Sequence, residues 1–328
     1  MDKLVSVLTP CYNGGKYIGK LLDSVLSQTC PRIEMIVIDD GSTDHSAKII
    51  KSYIPVFEAK GYSLTYLYQE NSGQSVAINR GLKLFRGDFL VWPDCDDYYA
   101  TEDAIAQMAE KLDATDDTYS MVRCFSQCLD EETLKPVKML QTNHKTKNKI
   151  DLFEDFLFSR NDFWFGAGNY MLKAKKIEKY IPGKEIYTEK DTGQNWQLIL
   201  PLLYKDKCLT VEVFLHDILD RKDSHSRASF ASPELLLERY QIHENTILHT
   251  LQMIEMPDKE RETYKGKIHA KYDKIRFSVF LKYKRFAEAR ELMKKQGRLP
   301  LSLWLKFLLH YTRLLPFFRK MFDLLKTK

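Results

Sequence analysis

The sequence predicts an α/β domain with a Rossmann-like, mostly parallel sheet, followed by an all-α region. Short apolar runs alternate with segments of helical periodicity over the first 100 residues, and the pattern is helical from about residue 232 onward. Such alternation is typical of parallel strands with helices on both faces of the sheet. With 328 residues, of which 44% are hydrophobic, the chain is long enough for about two domains and a sizeable core.

Four apolar runs are predicted to be strands, at residues 4–10, 34–40, 63–70 and 88–94. The second run, EMIVIDD, is almost continuously apolar, as strands buried on both faces are. Helical segments separate the runs. The first segment places apolar side chains on one helical stripe, namely Tyr17, Ile18, Leu21, Leu22, Val25 and Leu26. Ser42, Thr43 and Asp44 are candidate N-caps of the second helix.

Charge and cysteine content argue against several classes of protein. The formal net charge of +5 is mild for this length, so it does not predict nucleic-acid binding. The six cysteines have no framework spacing, which favours reduced thiols in a cytoplasmic protein. No run of about 18 apolar residues is present, and the N-terminal segment lacks the basic start and apolar core of a signal peptide. We therefore expect a cytoplasmic protein without a membrane-spanning helix.

Polar, chemically distinctive residues stand at the ends of three of the four predicted strands. In chain order these residues are Pro10, Tyr12, Asn13, Asp39, Asp40, Asp94, Asp96 and Asp97. Because the strands are predicted to be parallel, their carboxyl ends lie along one edge of the sheet, where open α/β sheets bind ligands. The sequence therefore predicts a ligand site at this edge.

The carboxylates indicate which ligand this edge would take. Neither a P-loop nor a G-x-G-x-x-G follows the first strand, so the usual backbone cradle for phosphate is missing. A group of acids without that cradle favours Mg²⁺ or Mn²⁺ bridging the protein to a nucleotide diphosphate. An EF-hand starting at Asp94 fails, because Tyr99 and Ile105 occupy the positions of its glycine and glutamate. Capping of the following helix is the alternative role for these acids.

The chain resembles the family 2 glycosyltransferases of the GT-A fold. The resemblance rests on four motifs in the first 100 residues: VSVLTPCYNGGKYIGKLLDSVLSQT, EMIVIDDGSTD, ENSGQSVAINRGL and GDFLVWPDCDD. Residues 160–227 also resemble a bacterial branch of the family through GAGNYML, GQNWQLILPLLY and DSHSR. The resemblance implies a GT-A domain over residues 1–228, with a nucleotide-sugar-binding half at 1–100 and an acceptor half at 101–228. Residues 229–328 would be a helical C-terminal region.

The resemblance also implies roles for individual residues. Pro10, Tyr12 and Asn13 match the family's P-x-Y-N and would line the nucleobase pocket. Asp40 matches the second acid of D-D-G-S and would accept a hydrogen bond from the base or ribose; forming the turn with Gly41 is its alternative role. The D-x-D-D element matches three acids that would contact the ribose, the diphosphate and the metal ion, namely Asp94, Asp96 and Asp97.

Two residues of the DSHSR motif extend this predicted site. His225 would be a third metal ligand or a hydrogen-bond donor to the diphosphate, with a purely structural histidine as the alternative. Arg227 would neutralise phosphate charge. Trp164 and the GAG sequence at 166–168 would form a platform for the acceptor sugar or, alternatively, part of the core.

The position of the catalytic base departs from the family pattern. Family members place an E-D pair at the start of a helix in the second half, whereas this chain has Gln194 and Asn195 there. An amide cannot take a proton at neutral pH, so the base must be another residue. Asp191 is the nearest carboxylate and Glu189 the next; a solvated loop acid is the alternative interpretation of Asp191.

The C-terminal segment from Arg298 to Lys328 carries seven Lys or Arg and one acid among many leucine, phenylalanine and tryptophan residues. This pattern is typical of an interfacial helix that lies on an anionic membrane. We expect peripheral binding to the cytoplasmic face of the inner membrane, with packing on the catalytic domain or in a homodimer as the alternative.

The sequence therefore predicts an inverting, metal-dependent glycosyltransferase that uses a nucleotide-diphosphate sugar, UDP-linked by first expectation, with Mn²⁺ or Mg²⁺. It would transfer a hexosyl or N-acetylhexosaminyl group to a saccharide or lipid-linked acceptor in cell-surface polysaccharide synthesis. Two alternatives remain open: a catalytically impaired sugar-nucleotide-binding scaffold, which the missing E-D pair allows, and a sugar nucleotidyltransferase, which the sequence TPCYNGG fits poorly.

Overall fold

A computed structural model of the chain describes residues 2–143, 146–161, 163–164, 166–189, 191–221, 232–295, 305 and 307–308. The first 91 residues alternate strands and helices as predicted. Their elements are β1 (Val5–Cys11), α1 (Ile18–Leu26), β2 (Ile33–Asp40), α2 (Ser46–Lys60), β3 (Ser63–Gln69), α3 (Gln74–Leu82) and β4 (Phe89–Val91).

The following residues add further strands and helices to this half. These elements are β5 (Tyr98–Tyr99), α4 (Ala104–Asp113), β6 (Tyr119–Asp130), β7 (Pro136–Leu140), α5 (Phe153–Phe158), β8 (Tyr170–Lys173), α6 (Ala174–Tyr180), α7 (Gln194–Leu203) and β9 (Lys207–Asp220). The remaining described helices are α8 (Pro233–Met253), α9 (Asp258–Lys282) and α10 (Phe286–Lys295), which confirms the predicted helical character of this region.

The described strands form one mixed sheet in the order β3-β2-β1-β4-β8-β6-β9-β5, with β7 paired to β6. The four strands predicted from the sequence pair in parallel. The second half differs, because β8 runs antiparallel to both β4 and β6, and β5 runs antiparallel to β9. The sheet is therefore parallel in the half that carries the polar strand ends and mixed beyond β4.

The core confirms the predicted apolar stripe of α1. Ile18, Leu21, Leu22 and Val25 are fully buried. They pack in one cluster with side chains of β1, β2 and β4 and with helices α2 and α4. Burial of one such side chain contributes about 1.5–3 kcal/mol, so this layer holds the parallel strands in place.

A buried carboxylate ties the amino-terminal ends of the central strands together. Glu34 on β2 is 3% exposed. It accepts hydrogen bonds from Ser6 Oγ at 2.6 Å, from the Arg86 backbone N–H at 2.6 Å and from the Gly87 N–H at 3.1 Å. Its second oxygen accepts from Arg86 Nε at 3.0 Å. The network joins β1, β2 and the turn into β4 at the edge opposite the predicted ligand site.

Of the three predicted N-caps of α2, only Asp44 bonds the start of the helix. The helix begins at Ser46, after His45, and Asp44 Oδ1 accepts from the Ser46 N–H at 2.9 Å. Ser42 and Thr43 instead bond to Asn13: the Asn13 N–H donates to Ser42 Oγ at 2.9 Å, and the Thr43 N–H donates to Asn13 Oδ1 at 2.9 Å. Side chains that could have capped a helix thus connect two strand ends, a long-range contact that local sequence does not show.

The described residues divide into two compact units. One unit takes residues of 1–224 and 245–261, and the other takes residues of 225–244 and 262–328. The predicted boundary at residue 228 lies outside the described residues, as does most of the basic segment 298–328. Within the described ranges, no helix combines the length and the apolar character needed to cross a membrane.

Candidate functional site

The ends of β2, β1 and β4 lie side by side. β1 pairs in parallel with β2 on one side and with β4 on the other. Polar residues that follow these three strands therefore share one edge of the sheet, as the sequence predicted.

The segment after β1 offers an exposed aromatic ring on a fixed backbone. Tyr12 is 54% exposed, whereas Pro10 is buried. Asn13 has a φ of 49°, in the left-handed region, and its side chain is used to bond the loop after β2. A large exposed ring beside a rigid turn is suited to stacking against a planar ligand such as a nucleobase. The assignment of Pro10, Tyr12 and Asn13 to a nucleobase pocket stays a prediction.

The two acids that end β2 are already engaged by the chain. Asp39 accepts from the Ser42 N–H at 2.8 Å and from the Tyr66 hydroxyl at 2.7 Å. Asp40 accepts from Gln69 Nε2 at 2.8 Å and from the N–H groups of Ser72 and Gly73, both at 2.9 Å. A carboxylate has about four acceptor positions, so Asp40 keeps one for a ligand while it shapes the loop into α3.

Two of the three acids after β4 contact their surroundings through single hydrogen bonds. Asp94 Oδ1 accepts from Gln74 Nε2, at the start of α3, at 2.7 Å. Asp97 is 5% exposed and accepts from the Leu219 N–H of β9 at 3.2 Å. The acids therefore lie between α3 and the end of β9, which bounds the site on two sides.

Arg221 is a member of this site that sequence reasoning missed. Its Nε lies 2.7 Å from Asp96 Oδ2 in an ion pair. Its guanidinium stacks over the Tyr17 ring at 4.5 Å from the centroid, and the Tyr17 hydroxyl donates to Glu131 at 2.9 Å. A lone arginine after a strand carries no local signal, so only the pairing of β9 with β6 and β5 could reveal it. It brings a positive charge to the carboxylates.

The carboxylates shift one another's protonation. Burial and the charge of Asp96 raise the pKa of Asp94 to about 7. Burial, with Asp96 and Asp94, raises the pKa of Asp97 well above its ordinary value. Like charges this close cannot all be ionised without a compensating cation, and Arg221 alone leaves both pKa values raised. The cluster is therefore electrostatically suited to a further cation.

The ligand chemistry of this cluster fits Mn²⁺ or Mg²⁺ only in part. Carboxylate oxygens are the donors that these hard ions prefer. Across the part of the chain that is described, however, no group of three or more His, Cys, Asp or Glu side chains is arranged to hold a metal ion. A cation here would be bound by one or two of these acids and completed by substrate phosphate. His225 and Arg227, the other predicted members, lie outside the described residues.

The first turn of α7 lies beside the same cluster. Ser75, next to Gln74, donates to the backbone oxygen of Thr192 at 2.5 Å. Asn195 Oδ1 accepts from Trp92 Nε1, two residues before Asp94, at 2.9 Å. Asn195, in the position of the family's acid, is thus within the site but carries an amide. Trp92 uses one of the two acceptor positions of this oxygen, and the N–H groups of Asn195 can donate to a ligand.

The two candidate bases lie on the loop that leads into α7. Glu189 accepts a hydrogen bond from the Tyr187 hydroxyl, and its backbone oxygen accepts from Thr192 Oγ1 at 2.7 Å. Asp191 is exposed and has a φ of 61°. Thr192 joins this loop to Ser75 of α3, whose neighbour Gln74 contacts Asp94. The roles of Glu189 and Asp191 as base stay a prediction.

Trp164 packs in the core. Its side chain is 4% exposed. The Arg123 guanidinium covers one face of the ring at 4.2 Å, and Phe125 packs edge-on at 6.3 Å between centroids. The platform prediction for Trp164 is wrong, because a buried ring cannot receive a sugar, and the core alternative is confirmed.

The described part of β9 contains a buried histidine, His216. His216 on β9 is fully buried, packs edge-on against Tyr99, and neither ring nitrogen has a hydrogen-bond partner. A methyl group on Gly168 would lie 2.3 Å from His216 Nε2, so a side chain at residue 168 would clash with the imidazole ring. Burial lowers the pKa of His216 to about 3.

The low pKa of His216 predicts an acid-sensitive contribution to stability. The unfolded chain takes up the proton near pH 6.5 and the folded chain near pH 3, so stability is lost as the pH falls below 6.5. Between pH 7.5 and 5.5, we expect wild type to lose about 1.4 kcal/mol more stability than His216→Leu. Urea unfolding in EDTA at the two pH values measures the loss of stability in each protein. The raised pKa of Asp94 changes stability in the opposite direction, but it does so equally in both proteins and cancels in the comparison. The exposed His45→Gln should behave as wild type, and equal losses in wild type and His216→Leu would contradict the assignment.

The mixed sheet, with its parallel half and the carboxylates at one edge, is the architecture of the GT-A fold. A sequence profile described as Glycosyl transferase family 2 matches residues 6–177, more than half of the chain. The chain belongs to this family, which confirms the resemblance seen in its motifs.

Individual relatives match parts of this chain. An uncharacterised glycosyltransferase of Rickettsia prowazekii is 36% identical over 152 residues, which are 46% of this chain and 45% of that protein. The glycosyltransferase GlyA of Streptococcus pneumoniae serotype 4 is 36% identical over 112 residues, 34% of this chain and 15% of that protein. The chain thus matches less than half the length of these curated relatives.

Solved structures share the fold at low sequence identity. TarS 1–349 of S. aureus in complex with UDP-GlcNAc has a TM-score of 0.63 and 16% identity, and covers 93% of this chain and 81% of its own. The mannosyltransferase PcManGT of Pyrobaculum calidifontis, in complex with GDP-Man and Mn²⁺, has a TM-score of 0.55 and 16% identity, with 93% and 79% covered. At this identity the likeness establishes the fold.

Proposed function

We propose that this chain is an inverting, metal-dependent glycosyltransferase that takes a sugar from a nucleotide-diphosphate sugar, with UDP as the first nucleotide to test. The sugar would be transferred to a saccharide or lipid-linked acceptor in cell-surface polysaccharide synthesis. The observation that carries the proposal is the cluster of Asp94, Asp96 and Asp97 with Arg221 at the carboxyl edge of a parallel sheet. Proteins of the same fold bind UDP-GlcNAc, or GDP-Man with Mn²⁺.

Each strand end has a part in holding the donor. Tyr12 would stack on the base, and the remaining acceptor position of Asp40 would receive a hydroxyl of the ribose. Asp96 and Asp97 would hold the divalent ion, which when bound stabilises charge on the departing diphosphate. When a divalent cation binds beside Asp96, it would replace Arg221 as the partner of that carboxylate. The Arg221 side chain would then be free to bind phosphate oxygens of the donor.

The acceptor hydroxyl needs a base on the other side of the sugar. Asn195 cannot serve, because it is an amide and its oxygen accepts from Trp92. Asp191 is the preferred candidate and Glu189 the second, since Thr192 joins their loop to Ser75 of α3. The amide N–H groups of Asn195 would hold an oxygen of the acceptor.

Donor binding and slow hydrolysis of the donor test the proposal together. A panel that includes UDP-glucose, UDP-GlcNAc and GDP-mannose is scored by thermal shift with and without Mn²⁺. The true donor should stabilise the protein as its concentration exceeds Kd, and only with the metal. Slow release of the nucleoside diphosphate should follow, stop with EDTA, and fall by about 10²–10³-fold in Asp191→Asn.

Matched outcomes separate the alternatives. Glu185→Gln, an exposed acid of the same loop, should keep the wild-type rate. Full activity of Asp191→Asn would exclude Asp191 as the base. The rate of Glu189→Gln would then show whether Glu189 is the base. Donor binding without any turnover would favour the scaffold, and pyrophosphate release from a nucleoside triphosphate and a sugar phosphate would favour the nucleotidyltransferase.

The proposal includes binding to an anionic membrane surface through residues 298–328, which carry the basic and apolar residues. Deleting this segment should move the protein from the membrane pellet to the supernatant and leave donor binding intact. Unchanged fractionation would favour packing on the catalytic domain or in a homodimer.

A further inference from the structure

Two cysteines meet inside the donor site. Cys11 is the last residue of β1, and Cys95 stands between Asp94 and Asp96. A methyl group on Gly14 would lie 2.8 Å from the sulfur of each. The two sulfur atoms therefore flank one small space and cannot be farther apart than twice that distance. Neither is part of a disulfide in the structure.

The pairing of β1 with β4 explains why they meet. The two strands are parallel, with Val5 opposite Phe89 and Val7 opposite Val91. The pairing ends at Val91, and the chain beyond it brings Cys95 beside the end of β1, where both sulfurs lie against the space next to Gly14. Neighbouring strands lie about 4.7–4.9 Å apart, and disulfides span Cα separations of about 4.4–6.8 Å.

We propose that Cys11 and Cys95 are an oxidisable thiol pair, and that a reversible disulfide between them shuts the donor site. Both thiols are free in the structure. In a reducing compartment, a disulfide between them would be transient, as regulatory disulfides are. Cys95 is partly exposed and Cys11 is 1% exposed, so an oxidant as small as a peroxide would reach the pair from the side of Cys95. Whichever sulfur is oxidised first, the other lies close enough to resolve it.

The chemistry balances with hydrogen peroxide as the oxidant. The sulfur of one cysteine, as its thiolate, attacks one peroxide oxygen; the O–O bond breaks, the hydroxide released takes up the thiol proton to form a first water, and the cysteine becomes a sulfenic acid. The sulfur of the other cysteine then attacks the sulfenic sulfur, the S–O bond breaks, and the hydroxyl group leaves with the second thiol proton as a second water. Two thiols and one peroxide thus give one disulfide and two waters. A dithiol reductant reverses the reaction by exchange.

The disulfide would act through the position of the acids. Bond formation draws two sulfurs to about 2.05 Å, and Cys95 carries Asp94 and Asp96 on its two sides. The segment would move toward β1 and into the space beside Gly14. Displacing binding groups by about 1 Å can cost roughly 10²-fold. This effect on donor binding rests on the proposed function, whereas formation of the cross-link does not.

Peptide mapping tests the cross-link without any activity assay. The full chain is treated with hydrogen peroxide, alkylated, and digested with trypsin without reduction. We expect one linked species formed by peptides 4–16 and 87–111, lighter by two hydrogens than their sum and absent after dithiothreitol. Cys11→Ser and Cys95→Ser should each abolish it. Cys128→Ser, which removes another partly buried thiol, should leave it intact.

Binding of UDP with Mn²⁺ tests the consequence, by calorimetry before and after peroxide. We expect at least about a tenfold weaker Kd in oxidised wild type and in oxidised Cys128→Ser, restored by dithiothreitol, with no change in Cys95→Ser. Absence of the linked peptide while Cys128 is oxidised would overturn the thiol pair. A linked protein that binds UDP as before would overturn the shut-off. Failure of the reduced protein to bind any nucleotide would count against the proposed function and leave the cross-link standing.

Discussion

Replacing Asp97 by asparagine should make the metal-free protein more stable and its catalysis far weaker. Asp97 is buried, and the charges of Asp96 and Asp94 raise its pKa. Asparagine keeps an oxygen for the Leu219 N–H and removes the unfavourable charge. In EDTA at neutral pH we expect a gain of about 1–3 kcal/mol. Mn²⁺-dependent release of nucleoside diphosphate should fall by about 10²–10³-fold.

Thermal unfolding with EDTA and with Mn²⁺ plus donor separates the two effects. Wild type should gain stability from metal and donor, whereas Asp97→Asn should gain little, so that the order of the two proteins reverses. Asp113→Asn, an exposed acid at the end of α4, provides the matched change of charge and should follow wild type throughout. A wild-type rate in Asp97→Asn would exclude this acid from the metal site.

Replacing Glu34 by alanine should be among the most destabilising single changes in the sheet. The change removes the acceptor of four hydrogen bonds. The Ser6 hydroxyl and the Arg86 N–H lose the acceptor that they have in the structure, whereas the Gly87 N–H still donates to Ser6 Oγ at 2.9 Å. We expect a loss of about 2–4 kcal/mol in free energy of unfolding, from the unpaired groups and the cavity together. Urea denaturation measures it.

The matched control is Glu58→Ala, an exposed glutamate of α2, which should change stability by less than about 0.5 kcal/mol. Glu34→Gln keeps one acceptor oxygen and should fall between the two. Equal stability of wild type and Glu34→Ala would show that this network contributes nothing. Because Glu34 lies at the edge opposite the site, a folded variant should retain its donor affinity.

The parallel half of the fold was predictable because its signals are local. β2 is buried along all eight residues, which is why its sequence is almost continuously apolar. The apolar stripe of α1 follows the helical period, and each of its buried members was readable from spacing alone. The sequence predicted that the polar ends of these strands share one edge of the sheet, and the structure brings the ends of β2, β1 and β4 together there.

The rest depended on contacts between residues distant in the chain. Arg221 reaches Asp96 only because β9 pairs with β6 and with β5. Gln74 contacts Asp94, and Asn195 contacts Trp92, across more than one element. Tryptophan in a glycine-rich segment fits a sugar platform or a core equally well, and burial of Trp164 decides between them.

Residues 245–261 pack with the first unit although they follow the start of the helical region. Ile247 and Leu251 are fully buried and Ile254 is 3% exposed. Arg261 donates to the carbonyl oxygens of Leu251, Ile254 and Met256, which fixes the turn after α8. The helical region is therefore not a detachable module. A chain cut near residue 228 would lose residues 245–261, which belong to the first unit.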